Sequence, residues 1–224
     1  MTQAIRTPFT SHAAASTPLA TRALLACGAA AGPLFLGVGV IEGLTRTGFD
    51  FTRNAISQLS LGSLGWIQVA SFLVTGTLLL AGGVGLRRTI GRTVGGTWAP
   101  RLVGVFGASF LLAGVFTADP GAGFPAGTPD GPATLSGHGT VHMLSGTVGY
   151  LALCAAFLVL ARHFAAQGRR GWALAYRLLP LGIIAGFAAS ATTVLAFTGA
   201  AGLGLLALTA AVAQLADLTP ITRR

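Results

Sequence analysis

The sequence contains no lysine, and charge of either kind is scarce: fourteen arginines and five acidic residues make up 8% of 224 residues. A soluble domain carries about a quarter charged residues. A chain this poor in charge lacks the polar side chains to cover a globule, and with 53% hydrophobic residues it needs lipid as its solvent. The net charge of +9 does not point to nucleic acid, because the arginines are dispersed between apolar runs and form no basic face. Only two cysteines occur, Cys27 and Cys154, both inside apolar stretches; they are expected to be small buried hydrophobes and not a disulfide. There is no Walker loop, no G-x-S-x-G elbow and no dinucleotide fingerprint. No pair among the four histidines is placed for a two-histidine haem site.

What the sequence does have is long charge-free runs. Crossing a bilayer core of about 30 Å takes about 20 mainly apolar residues. Windows at 23–41, 64–86, 102–118 and 143–161 each supply one crossing, and 178–216 runs 39 residues without a charge. That last window is nearly twice too long for one helix at about 1.5 Å per residue, and its FTGAAG stretch, 197–202, is the expected turn. The expectation is an all-α, six-helix transmembrane bundle over 21–218, with spans near 21–42, 64–86, 100–118, 139–161, 178–197 and 201–217. Tails at 1–20 and 219–224 flank it. The first run extends through PLFLGVGV, too far for a signal-peptide core, and is expected to be a retained helix.

Twelve of the fourteen arginines then fall on one side of the bundle, in the tails and in the connections between spans two and three and between spans four and five. The positive-inside rule makes that side cytoplasmic, and with it both termini. The remaining connections face outward. Loop one, roughly 42–63, carries Glu42, Arg46, Asp50 and Arg53, and loop two, roughly 119–138, carries Asp119, Asp130 and His138. Any chemistry is expected on this face. Loop one reads either as a segment lining a polar cavity or as an amphipathic lead-in anchored by Trp66 at the headgroups. Loop two has four prolines and six glycines in 119–139, which forbid a helix, and Phe124 is its one aromatic apolar residue. An ordered cap docked through Phe124 is expected. His163 and His12 fall among the arginines and are expected to be solvated, whereas glycines within spans (Gly82, Gly83, Gly104, Gly146, Gly149) are expected at close helix contacts.

LSGHGTVHMLSG, 135–146, opens the fourth span. Ser136 is placed to be its N-cap, and helical spacing stacks His138 and His142 one turn apart on one face. Two imidazoles at this spacing can share a zinc ion, for which Asp119 or Asp130 would be the third ligand. They can equally serve as acid and base, or be hydrogen-bonded structural groups. The HEXXH motif of metalloproteases supplies a glutamate where this chain has Gly139.

The stretches RNAISQLSLGSLGWIQ (53–68), DPGAGFPAGTPDG (119–131) and SGHGTVH (136–142) resemble the bacterial membrane proteins grouped as domain of unknown function 998. The resemblance runs over approximately 20–200 and implies a six-helix protein of the cell membrane whose most characteristic residues face outward. Arg53, Ser57, Ser60, Gly62, Trp66, Asp119, Pro120, Gly123, Phe124, Pro125, Ser136, His138 and His142 match its pattern. A looser similarity, a few residues deep, is to the alkaline ceramidase and adiponectin-receptor group, which combines a serine, an aspartate and an H-x-x-x-H pair around zinc. The third histidine of that group has no counterpart here.

Three functions compete on this reading. The first is a membrane-embedded enzyme acting on a lipid-like or isoprenoid substrate, by metal-assisted hydrolysis or by acid/base cyclisation. Asp119, His138, His142 and Glu42 would be catalytic, an apolar pocket raising the proton affinity of Asp119 or Glu42. Arg53, Ser57, Ser60, Trp66, Phe124, Asp130 and Ser136 would bind substrate, Arg53 by holding a phosphate or another anion. The second is a non-catalytic binder or transporter of an apolar small molecule. The third is a structural membrane protein whose outer loops pack on each other.

Overall fold

The computed structural model describes residues 18–217. It is all-helical: α1 (Pro18–Thr45), α2 (Gly65–Ile90), α3 (Trp98–Val115), α4 (Gly137–Ala166), α5 (Arg170–Ala188) and α6 (Val194–Asp217), with short 3₁₀ turns at Ile56–Ser60 and Ala189–Ala191. All six helices are long and apolar enough to cross a membrane, so this is a multi-pass membrane protein. Each helix packs on its chain neighbours, and α6 returns against α1, closing a ring. One end of the ring is capped by the connections α1–α2 and α3–α4; the other carries most of the arginines.

The seams follow from small residues and aromatic rings. Gly28 on α1 and Gly82 on α2 meet so closely that a Cβ on Gly28 would lie 2.8 Å from the Gly82 Cα. Gly83 and Gly149 are also at close contacts, Gly83 against Pro100 and the backbone of Gly104 and Gly149 against Ser109, whereas Gly146 faces open space, against expectation. Phe35, Phe72, Phe106 and Phe110 pack edge to face between α1, α2 and α3, with Phe35 4.9 Å from Phe72 and 5.0 Å from Phe110. Such geometry suits the ring quadrupoles. Thr209 Oγ1 donates to the Ala29 carbonyl at 2.9 Å and ties α6 to α1. Cys27 and Cys154 are free thiols.

The fifth helix departs from the sequence expectation. It starts at Arg170, and the connection to α6 falls at 189–193, so FTGAAG lies inside α6. Counting charge-free residues starts a span too late, because Arg170 and Arg177 can sit on a membrane helix and reach the interface with long side chains. The turn is made by the Ser and Thr cluster ASATT, and lipid-embedded helices accept the glycines further on.

His163 also departs from expectation. It is 1% exposed, and its Nδ1 lies 3.1 Å from the Val94 carbonyl and 3.1 Å from Thr93 Oγ1. It fastens the α2–α3 connection to α4 and is not solvated. His12 and most of the tail expectations lie outside the described residues.

Candidate site: an apolar cavity with one histidine

Loop one is built on Arg46 and Glu42. Arg46 follows α1 by one residue and turns back to donate to Glu42 Oε1 (3.3 Å) and to the carbonyls of Leu59 (3.1 Å) and Leu61 (2.6 Å). Its guanidinium also lies over the Phe124 ring, 5.4 Å from the centroid. These contacts pull the Ile56–Ser60 turn into the ring of helices, where Ile56 and Leu59 are buried. Trp66, by contrast, is 67% exposed on the outside of α2. The turn of loop one faces inward, onto an apolar and not a polar cavity, and its tryptophan faces the surroundings.

Loop two is held by side chains of loop one. Asn54 Nδ2 donates to the Ala122 carbonyl (3.3 Å), and Gln58 Nε2 donates to the carbonyls of Gly121 (3.2 Å) and Asp119 (3.4 Å). Phe124 is 1% exposed and packs edge to face on Phe49 at 5.3 Å. The expected ordered cap docked through Phe124 is present. Arg53 and Asp130 form an exposed ion pair at 2.6 Å across the two loops, with side chains 48% and 83% exposed. This pair clasps the cap from outside. In this structure Arg53 and Asp130 serve that clasp, with each as the other's partner.

Asp119 meets the start of α4. Its carboxylate accepts from the Ser136 amide (2.8 Å) and the Ser136 hydroxyl (2.6 Å), while Ser136 Oγ caps the helix by accepting from the Gly139 amide (3.0 Å). These donors, with smaller contributions from His142 and His138, hold the Asp119 carboxyl below its ordinary range. The proton donor expected from an apolar pocket is, in this structure, an ionised carboxylate anchored at a helix N-terminus. Gly139 is required here, since a methyl group on it would overlap the Asp119 carboxylate. That is why this position cannot carry the glutamate of HEXXH.

The two histidines part company. His138 is exposed, with its ring 5.2 Å from Phe116. His142, one turn deeper, is buried, and its Nδ1 lies 2.8 Å from the Phe116 carbonyl and 3.2 Å from the Ala113 carbonyl. A carbonyl only accepts, so Nδ1 carries a proton, and in the neutral ring Nε2 is the acceptor. No partner for Nε2 is found among the described residues. The metal reading fails on this geometry. Both Asp119 oxygens are engaged by Ser136, and among the described residues no three His, Cys, Asp or Glu side chains are placed to hold an ion.

His142 lines a cavity of about 430 Å³ at the capped end of the ring. Its floor and sides are Phe35, Phe72, Phe110, Tyr150, Phe187 and Phe197, and its roof is Ile56 and Ser57. No Asp, Glu or Arg lines it. Met143, Thr147 and Ser190 belong to the wall yet are exposed, so the cavity opens sideways between α4 and the α5–α6 connection. Of the expected site residues, only His142 and Ser57 reach this space. Ser60 is buried beside it, donating to the Ser57 carbonyl at 2.7 Å, and Glu42 lies under loop one. Asn54 and Gln58 hold the cap without having been singled out, and Arg46, noted only as a charge of loop one, is its anchor. The one signal for Asn54 and Gln58 in the sequence is polar side chains interleaved with Ile56 and Leu59.

Six transmembrane helices, a two-loop cap and a lateral apolar cavity define the class of this protein. The family model described as "Protein of unknown function (DUF998)" matches residues 29–222, and the chain belongs to that family. No curated protein and no solved structure matches.

Proposed function

We propose that this protein admits an apolar, lipid-like or isoprenoid chain from the bilayer into the capped cavity and exchanges a proton with its polar end at His142. The observation that carries this reading is the fixed imidazole, with an unspent Nε2, on the wall of an otherwise aromatic and aliphatic space. Anchoring Nδ1–H on two carbonyls sets the tautomer and aims the other nitrogen, the arrangement a general base needs. Cavities of about 300–1,000 Å³ with few polar groups are typical of small-molecule sites. Acid/base chemistry is favoured over metal-assisted hydrolysis because the ligand set for an ion does not assemble.

The arginine asymmetry supports a cytoplasmic-membrane location with both termini inside. The cavity then opens to the outer half of the bilayer, and membrane lipids are its immediate partners. A second reading, carriage without chemistry, has one observation in its favour: no other titratable side chain except Tyr150 lines the cavity, and the Tyr150 hydroxyl is bound to the Ala201 carbonyl at 3.2 Å. Photolabelling tests the common part of both readings. A diazirine-bearing alkyl chain in nanodiscs should label Met143, Ser57 or Phe197, and labelling confined to lipid-facing positions such as Val84 would refute it. Turnover lost in His142→Gln, with labelling retained, would then separate enzyme from carrier.

A further inference from the structure

We propose that the ligand's polar end is an uncharged group with one hydrogen-bond donor, an alcohol in the simplest case. The assignment rests on the cavity being the ligand site, and deepens that reading by naming the head.

Charge is excluded first. The cavity wall carries no carboxylate and no guanidinium. The two arginines of loop one are committed elsewhere: Arg46 to Glu42, Leu59 and Leu61, and Arg53 to Asp130. At the start of α4 a carboxylate is already in place, because Asp119 occupies the Ser136 amide and hydroxyl while Ser136 caps the Gly139 amide. An anionic head would therefore find no fixed counter-charge, only the imidazole of His142, and a cationic one would find none. Burying an unpaired ion is strongly unfavourable even after relaxation.

The donor follows from the His142 tautomer. With Nδ1–H given to the Phe116 carbonyl, Nε2 can only accept, so the ligand must donate. Most hydroxyls of the wall are spent. Ser109 donates to Phe106, Thr147 to Met143 and Ser190 to Phe187, each on its own helix or its end. Two are unspent. Ser57 Oγ, in the roof, makes no hydrogen bond among the described residues, and Thr198 Oγ1, in the α6 wall, is buried without a partner. A hydroxyl head donates once and accepts twice, so it can give its proton to His142 and take one from Ser57, with Thr198 in reach of a rotation about Cα–Cβ. An ether or ester oxygen accepts only and leaves Nε2 unsatisfied.

The experiment is competition against the diazirine alkyl probe in nanodiscs. The competitors are hexadecanol, hexadecyl methyl ether, palmitate, hexadecyl phosphate and hexadecane, with the farnesyl alcohol, methyl ether and phosphate in parallel. The alcohols should compete at concentrations at least about tenfold below the ethers and the charged heads, the order expected when one buried hydrogen bond is made or missing. Ser57→Ala and Thr198→Val, both mild substitutions, should weaken the alcohols several-fold and leave hexadecane unchanged. Equal competition by ether or hexadecane overturns the donor, and equal or better competition by palmitate or a phosphate overturns the uncharged head, both leaving the cavity reading intact. Failure of every compound to compete overturns this assignment and the cavity reading together. If hexadecanol and farnesol differ, the better competitor names the chain.

Discussion

Replacing Asp119 with Asn tests whether this carboxylate is a structural anchor. The carboxylate takes two short, charge-assisted hydrogen bonds from Ser136, at 2.8 and 2.6 Å, and sits at the positive end of α4. Hydrogen bonds to a charged group contribute about 1.5–3 kcal/mol when buried. Asp119 is only partly buried, and solvent screening reduces this to about 1–2 kcal/mol for the pair. Asn keeps the size and one acceptor but removes the charge. For a domain of this length the loss should lower the apparent melting temperature by about 2–8 °C, read by thermal unfolding in detergent. The pH dependence has a fixed sign. Ser136 holds the folded-state carboxyl below the ordinary value of 3.8, so its stabilisation is full above about pH 3.8 and fades as pH falls through the lower folded value. The gap between wild type and Asp119→Asn should therefore close in acid. In a Ser136→Ala background the Asn substitution should cost less, since the hydroxyl donor is gone and only the backbone amide remains. An unchanged melting temperature, or strictly additive losses, would refute the anchoring role and restore Asp119 as a candidate proton donor.

Three further substitutions follow from the same geometry. Gly139→Ala should expel the Asp119 carboxylate and destabilise at least as much as Asp119→Asn; wild-type melting would show the contact is not made. Gln68→Leu should raise the melting temperature by roughly 2–12 °C, because the Gln68 side chain is 0% exposed with neither amide atom hydrogen-bonded, and an unsatisfied buried amide costs about 1–3 kcal/mol. A fall in stability would mean that Gln68 has a partner. Arg53→Ala should shift melting little and leave photolabelling unchanged, since an exposed ion pair is screened by solvent and contributes little; loss of labelling would place Arg53 at the ligand after all.

The membrane fold was legible because burial in lipid demands long runs without charge, and those runs stand out directly. The α5–α6 turn was not, since charge counting misplaces a helix that begins with arginines, and Gly-rich FTGAAG imitates a turn that lipid does not require. At the site, the Ser136 cap and the docking of Phe124 could be read from residue type and position alone. The separation of His138 from His142 could not. Helical spacing puts both on one face, but only packing decides that the second reaches beneath the end of α3 while the first stays exposed. Asp119 was misjudged for a related reason: its two donors come from Ser136, seventeen residues away in sequence. Arg46, Asn54 and Gln58 bind backbone carbonyls of the cap, and carbonyl positions leave no trace in side-chain spacing.

Filling the cavity tests the central claim most directly. Gly146 lines it and has open space where a side chain would grow, so Gly146→Phe should occupy the ligand's place without disturbing the ring of helices. Protein purified in mild detergent should be denatured and its retained apolar molecules measured by mass spectrometry. Wild type is expected to carry an apolar, hydroxyl-bearing molecule that Gly146→Phe has lost at an unchanged melting temperature. Equal retention by both proteins would contradict the assignment of the cavity as the ligand site.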